Sequence, residues 1–160
     1  MRGFVSVLAL LLAIPILYAE NVEITSNSFE ADETRRVSIF TGDVHVKKGK
    51  DRIDSQKLIV YFDKERKPIK YEALKDVTFK IVMDSNKSYE GKAQKIVYFP
   101  KEAKYLLEKD VFILQKPENR KIYGEKVIVN RQNGQARVEG GKKPVKFIFN
   151  VEENATGEGN

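Results

Sequence analysis

The single histidine is the first residue to consider for catalysis, because imidazole is a common proton-transfer group in enzymes. His45 lies between Val44 and Val46 in an alternating segment, which would place it on the face opposite these valines, together with Asp43. A catalytic histidine also needs a nucleophile and an orienting acid, and no nucleophile motif such as GxSxG occurs. We therefore interpret His45 as a surface or hydrogen-bonded residue.

Other residue types that carry site chemistry are missing or scattered. The chain has no cysteine, which excludes disulfides, thiolate zinc sites and a cysteine nucleophile. The carboxylates are dispersed among lysines without the paired spacing of a glycosidase, and no P-loop, GxGxxG or calcium loop occurs. The sequence predicts a non-enzyme without a cofactor or metal, and a hydrolase on a β scaffold is the least favoured alternative.

The composition fits one folded domain with a modest positive charge. Of the 160 residues, 41% are apolar, and 29 lysines and arginines exceed 23 acidic residues for a formal net charge of +6. This apolar fraction is enough for a core and too rich for a disordered chain. Binding to nucleic acid is a poor fit, since the basic residues are interspersed with carboxylates.

The N-terminus has the pattern of a secretory signal peptide. Arg2 precedes the apolar run Phe4–Leu17, and polarity begins at Glu20. We predict a signal peptide over residues 1–19 that is cleaved after Ala19. A membrane anchor is the alternative reading, although a spanning helix needs about 20 apolar residues.

For the rest of the chain, the sequence predicts one β domain over residues 20–150, followed by a disordered acidic tail at 151–160. Apolar residues alternate with a period of two in Val77–Met83 and Val145–Phe149, and β-branched and aromatic residues are frequent there. The nearest candidate for a helix, Ala103–Glu108, is short and flanked by strand patterns.

Two short motifs recur along this domain. The first, an Asp-Val motif at the start of an apolar run, has its aspartates 33 and 34 residues apart and occurs at Gly42-Asp43-Val44, Lys75-Asp76-Val77 and Lys109-Asp110-Val111. The second, a small-x-Lys motif before three apolar residues, occurs at Ser55-Gln56-Lys57, Ala93-Gln94-Lys95 and Gly124-Glu125-Lys126. The spacing predicts about four stacked copies of a strand–turn–strand unit.

The strands that follow the small-x-Lys motif can place either of two sets of apolar residues inside. If the three lysines face solvent, the inward set is Leu58, Val60, Ile96, Tyr98, Val127 and Val129. The opposite set, Ile59, Val97 and Ile128, is also apolar. The sequence therefore favours the first register and leaves the second open.

These patterns predict an all-β fold: an elongated antiparallel β-jellyroll or sandwich that is built from stacked hairpin repeats and open at both ends. The terminal strands, at about 21–24 and 145–151, hold one charged residue each. Edge strands expose unpaired backbone groups. We therefore expect these edges to pair with another chain by β-augmentation.

Three segments in order resemble the OstA-like/LptA family: Phe29-Glu30-Ala31-Asp32, Phe40-Thr41-Gly42-Asp43-Val44 and Ile53-Asp54-Ser55-Gln56-Lys57-Leu58-Ile59-Val60-Tyr61. The resemblance covers residues 22–150 and is sharpest over 24–82. It implies a periplasmic lipopolysaccharide carrier of outer-membrane biogenesis in the Gram-negative envelope, with acyl chains in the jellyroll interior. It also implies head-to-tail self-association into a bridge between an LptC-type inner-membrane protein and an LptD-type outer-membrane translocon.

The resemblance directs attention to apolar strand residues as walls of a lipid groove. The candidates are Val37, Ile39, Val44, Val46, Leu58, Val60, Val77, Phe79, Ile81, Ile96, Tyr98, Val111, Ile113, Val127, Val129, Phe147 and Phe149. Ordinary core packing is the alternative for each of them. Basic residues that could form a rim for lipid phosphates are Lys47, Lys48, Lys50 and Arg52, with Lys142 and Lys143 near another turn. A solvated, edge-protecting surface is the alternative for these.

Two other functions fit the same pattern. The chain could be a membrane-anchored, LptC-like member of the same fold, or a purely structural β module that pairs with other proteins. Two N-x-S/T sequons, at Asn86 and Asn154, each follow an acidic residue two positions earlier, as in bacterial N-glycosylation, although chance is the simpler explanation.

Overall fold

A computed structural model describes residues 21–83 and 86–152, and these form an all-β fold. The predicted signal peptide, residues 153–160 of the predicted tail and the sequon at Asn154 lie outside the described residues. The strands are β1 (Val22–Thr25), β2 (Ser28–Asp32), β3 (Val37–Lys48), β4 (Asp51–Phe62), β5 (Pro68–Val82), β6 (Ser88–Phe99), β7 (Lys104–Lys116), β8 (Arg120–Asn130), β9 (Gln135–Glu139) and β10 (Lys146–Ile148).

All ten strands belong to one antiparallel sheet that does not close on itself. Its order is β1-β3-β4-β5-β6-β7-β8-β10, with β2 also paired to β3 and β9 also paired to β8. The six long central strands follow one another as hairpins, which confirms the predicted stacking of hairpin repeats. No helix among the described residues is long and apolar enough to cross a bilayer.

The sequence predicts that each Asp-Val motif begins an apolar strand segment. In the structure the motifs lie instead in the middle of β3, β5 and β7. The pairing register shifts at each of them, at Thr41/Val44, Leu74/Val77 and Glu108/Val111. Asp43, Asp76 and Asp110 have φ angles of 49°, 49° and 50°, and the preceding residue of each motif is also left-handed. Each motif is therefore a β-bulge, which bends its strand without ending it.

The small-x-Lys motifs lie directly opposite the bulges on the neighbouring strands. Each small residue pairs with the valine of a bulge: Val44 with Ser55, Val77 with Ala93, and Val111 with Gly124. The Asp76 N–H donates to Gln94 Oε1 at 3.3 Å, and Gln94 Nε2 donates back to Asp76 Oδ1 at 3.1 Å. The two sequence motifs are therefore two sides of one structural unit.

The bulges line up across the sheet, and we call this line the bend line. On one side lies the first half-sheet, which consists of β2, β9 and residues 37–41, 57–62, 68–74, 95–99, 104–108 and 126–130. On the other side lies the second half-sheet, which consists of β1, β10 and residues 44–48, 51–55, 77–82, 88–93, 111–116 and 120–124. The halves face each other across the core: Lys48 Nζ of the second lies 5.9 Å from the Tyr98 ring centroid of the first.

The core fills the angle of this bend. Val44, Val77 and Val127 are almost completely buried, at 0%, 0% and 1% exposure. Leu58 and Ile96 belong to the same apolar cluster. The predicted inward register of the strands after the small-x-Lys motifs is therefore confirmed. The opposite set, Ile59, Val97 and Ile128, shares a face with the three lysines on the other side of the sheet.

Candidate functional site

An apolar cavity lies between the two half-sheets, and its lining extends from the row beside the bend line to the open margin of the sandwich. Its volume is about 120 Å³. From the second half-sheet it is lined by Val46, Ile53 and Ile81, and from the first by Leu58, Ile96 and Tyr98, among others. Small-molecule sites usually measure about 300–1,000 Å³. The cavity is therefore a partly closed pocket and not the continuous trough that a long acyl chain would occupy.

Most of the predicted groove residues do face the interior. Nine of them belong to the buried cluster: Val44, Leu58, Val60, Val77, Phe79, Ile96, Val111, Ile113 and Val127. Three more, Val46, Ile81 and Val129, are partly buried and pack against that cluster. Tyr98 lines the cavity. Only Val46, Leu58, Ile81, Ile96 and Tyr98 of the predicted set reach the cavity, so the remaining interior residues pack against other side chains.

Four predicted wall residues lie elsewhere. Ile39 neighbours Phe40, which packs against the core, so alternation puts Ile39 on the outer face of the first half-sheet. Val37 shares that outer parity, and although it is only 6% exposed it is not part of the core cluster. Phe147 pairs with Ile122, which packs against the core, so it has the inward parity but is 49% exposed at the last edge of the sheet. Phe149, just after β10, is 53% exposed.

The predicted phosphate rim is divided between two surfaces. Lys48 lies at the mouth of the cavity, with its Nζ over the Tyr98 ring. Lys47 and Arg52 border a polar depression beside His45, and Arg52 also touches the cavity. Lys50 is exposed in the turn between β3 and β4. Lys142 and Lys143 are exposed outside the strands.

A row of three tyrosines crosses the first half-sheet at the cavity. Tyr71 pairs with Tyr98, and Tyr98 pairs with Tyr105, on three adjacent strands. The ring centroids lie 6.0 Å apart for the first pair and 4.5 Å for the second, which is stacked. We call these three residues the tyrosine ladder. Sequence analysis singled out Tyr98 alone, since the row exists only once strand register is known.

Burial controls the chemistry of the tyrosine ladder. It raises the pKa of Tyr105 to about 12, with the nearby Tyr98 as a smaller contribution. Burial also raises the pKa of Tyr71. Both hydroxyls therefore stay protonated at neutral pH and can donate hydrogen bonds at the edge of an otherwise apolar surface.

His45 lies on the outer face of the second half-sheet between two carboxylates. Its Nδ1 is 2.5 Å from Asp54 Oδ1, and its Nε2 is 3.1 Å from Asp43 Oδ1. The hydrogen bond with Asp54 is the main reason that the pKa of His45 is raised. The interpretation of His45 as a hydrogen-bonded residue is confirmed. Among the described residues, no group of three His, Asp or Glu side chains could hold a metal ion.

Comparison with known proteins connects this architecture to lipopolysaccharide transport. The sequence model of the family described as "LptA/(LptD N-terminal domain) LPS transport protein" matches residues 23–135, which run from β1 to the start of β9. No curated protein sequence matches the chain.

The fold is similar to that of LptH from Pseudomonas aeruginosa, described as the LptA homologous periplasmic component of the conserved lipopolysaccharide transport device. The TM-score is 0.71, and the match covers 84% of this chain and 96% of LptH. At 15% sequence identity this likeness shows a shared fold. Since the family match spans more than half of the sequence, the chain belongs to the LptA/LptD N-terminal domain family of lipopolysaccharide-transport proteins.

Proposed function

We propose that this protein is a periplasmic, non-catalytic carrier that holds the acyl chains of lipopolysaccharide between its two half-sheets. The observation that carries the proposal is the asymmetry of the sandwich. The interior is filled with buried valines along the bend line and contains an apolar cavity that extends to the opposite margin. Export by the predicted signal peptide at 1–19 would bring the chain to the periplasm.

Lipid binding requires the half-sheets to separate at this margin, because about 120 Å³ is too small for a long acyl chain. Each methylene group that leaves water contributes about 0.8 kcal/mol. A chain of several buried methylenes can therefore offset the loss of side-chain contacts across the cavity. The bend line stays closed in this movement, since its bulges connect both half-sheets through continuous strands.

The edges of the sheet suit a bridge between membranes. Five apolar residues near the last edge are at least 40% exposed: Val145, Phe147, Ile148, Phe149 and Val151. At the first edge, Val22 is 40% and Phe29 59% exposed. Paired edges of successive molecules would extend the cleft head to tail, with an LptC-type protein at one end and an LptD-type translocon at the other.

Photocrosslinking in intact cells tests the lipid site. Photoreactive residues at positions 58, 79 and 96 should form lipopolysaccharide adducts, because all three side chains face the interior. Position 59 is the matched control, since Ile59 is adjacent to Leu58 but on the outer face. Adducts at 59 and none at the interior positions would contradict the proposal.

The exposed apolar edges also favour a second candidate, a structural β module that only pairs with proteins. Purified protein that oligomerises but shows no affinity for lipopolysaccharide would support this candidate. A membrane-anchored, LptC-like role predicts instead that residues 1–19 are retained on the protein in membranes. Mass analysis of the N-terminus separates that role from a soluble carrier.

A further inference from the structure

The tyrosine ladder occupies a distinct position on the inner face of the first half-sheet. The row nearer to the bend line is aliphatic and consists of Leu58, Ala73, Ile96, Leu107 and Val127. The next row toward the opening carries Tyr71, Tyr98 and Tyr105 at its centre. Aliphatic residues would serve an acyl chain equally well there. Tyrosine rings add flat faces and hydroxyl donors at the boundary between apolar interior and water.

Polar groups surround the tyrosine ladder at the same mouth. Lys48 Nζ lies 5.9 Å from the Tyr98 ring centroid. Asp51 lines the cavity and accepts a hydrogen bond from the Val82 N–H at 2.9 Å. Arg52 also lines the cavity. The mouth therefore combines two cations, one carboxylate and three aromatic rings beside an apolar cavity.

We infer that the tyrosine ladder and these charges form a binding site for a phosphorylated sugar, distinct from the interior that takes acyl chains. A sugar ring presents apolar C–H faces that can stack on Tyr98. Its hydroxyls can donate to Asp51, and its phosphate can accept from Lys48 and Arg52. The inference rests on the proposed function and adds a place for the headgroup of the same glycolipid, at the mouth of the cleft.

The outer face of the same half-sheet supplies an internal control. Lys70 Nζ lies 4.2 Å from the Tyr61 ring centroid, so a tyrosine–lysine contact exists there as well. Tyr61 does not line the cavity. If tyrosine–lysine pairs bound phosphorylated sugars in general, binding would occur both at Tyr61–Lys70 and at Tyr98–Lys48. A specific binding site would act only at Tyr98–Lys48, at the mouth of the cavity.

The test uses a water-soluble bisphosphorylated glucosamine disaccharide without acyl chains, titrated into the purified protein by calorimetry and NMR. The wild type should bind it, and Tyr98→Leu should weaken binding roughly five- to tenfold, the range expected for loss of one aromatic contact. Lys48→Gln should weaken binding of the phosphorylated disaccharide more than that of its unphosphorylated form. Tyr61→Leu should leave both affinities unchanged.

Three results would overturn the inference: no binding of the disaccharide, equal losses in Tyr98→Leu and Tyr61→Leu, or inorganic phosphate binding as tightly as the disaccharide. The last result would identify a simple anion site. Lys48→Gln keeps the test informative if Tyr98→Leu fails to fold, because Lys48 lies at the mouth. Crosslinking of whole lipopolysaccharide at position 96 is independent, so its persistence with no disaccharide binding would remove the sugar site and leave the carrier function intact.

Discussion

The bend line and the open margin of the sandwich are built from the same strands but differ in every property that matters for binding. At the bend line, Val44 and Val77 are completely buried opposite small partners, Ser55 and Ala93. At the margin, the facing side chains leave a cavity of about 120 Å³ with Lys48 at its mouth. The comparison indicates that the middle of each long strand is tightly packed at the bend line, whereas packing is incomplete where the strand ends face each other across the cavity.

The largest effect should come from placing a charge at the bend line. Val77→Asp should lower the free energy of unfolding by about 4 kcal/mol or more, because an unpaired carboxylate would replace a fully buried methyl surface. Ile81→Asp, on the same strand and face but at the cavity, should cost only about 1–2 kcal/mol and abolish lipid binding. Urea denaturation and lipid crosslinking measure the two effects. Equal destabilisation by both would remove the distinction between the two regions.

A smaller loss is expected where backbone contact leaves no room for a side chain. Gly91 pairs with Phe79 and Ile113 on the inner face of the second half-sheet, and a Cβ there would overlap with the carbonyl oxygen of Phe112. Gly91→Ala should therefore destabilise the protein by about 3 kcal/mol, measured by thermal unfolding. An unchanged melting temperature would show that the two strands are less tightly packed than described.

The bulges themselves offer a paired test of opposite sign. Gly42 has a φ of 83°, and a Cβ there would lie 2.8 Å from Asn27 Nδ2, so Gly42→Ala should cost about 1–2 kcal/mol. Lys75 occupies the same bulge position with a φ of 69°. Lys75→Gly should be neutral or stabilising by up to about 1 kcal/mol, because glycine adopts this conformation without strain. Marked destabilisation by Lys75→Gly, measured in urea, would contradict this view of the bulge.

The smallest effect concerns pH. The pKa of His45 is raised in the folded protein, mainly by its hydrogen bond with Asp54. Its stabilising contribution should be fully present below the unfolded value of about 6.5 and be lost as the pH rises through the raised folded value. The melting temperature of wild type should exceed that of His45→Gln more at about pH 5.5 than at about pH 8.5. The reverse dependence would exclude a stabilising ion pair at His45.

The hairpin repeat and its register were accessible from sequence, because both follow from local alternation. Lysines at the third position of the small-x-Lys motifs favoured an inward face for Leu58 and Ile96, and both residues belong to the core cluster. The fold class also followed from the recurring strand pattern. These features depend on neighbouring residues in the chain, which a single sequence shows directly.

The bend was not predicted because its residues resemble ordinary turn residues. Lys75-Asp76 and Lys109-Asp110 carry no glycine, so their left-handed conformations gave no signal. The full lining of the cavity was not predicted for a related reason. Tyr71 and Tyr105 join Tyr98 through pairing between strands, and Lys48 reaches that row only because the sheet folds over on itself.

The measurement that tests the central claim most directly is to hold the margin closed. The chain has no natural cysteine, so Lys48→Cys/Tyr98→Cys places the only two thiols on opposite sides of the cavity mouth. Bridging them with a short, cleavable bifunctional reagent should abolish the lipopolysaccharide binding that this variant retains without Lys48 and Tyr98, and cleavage of the reagent should restore that binding. Undiminished binding by the bridged protein would contradict entry of lipid between the two half-sheets.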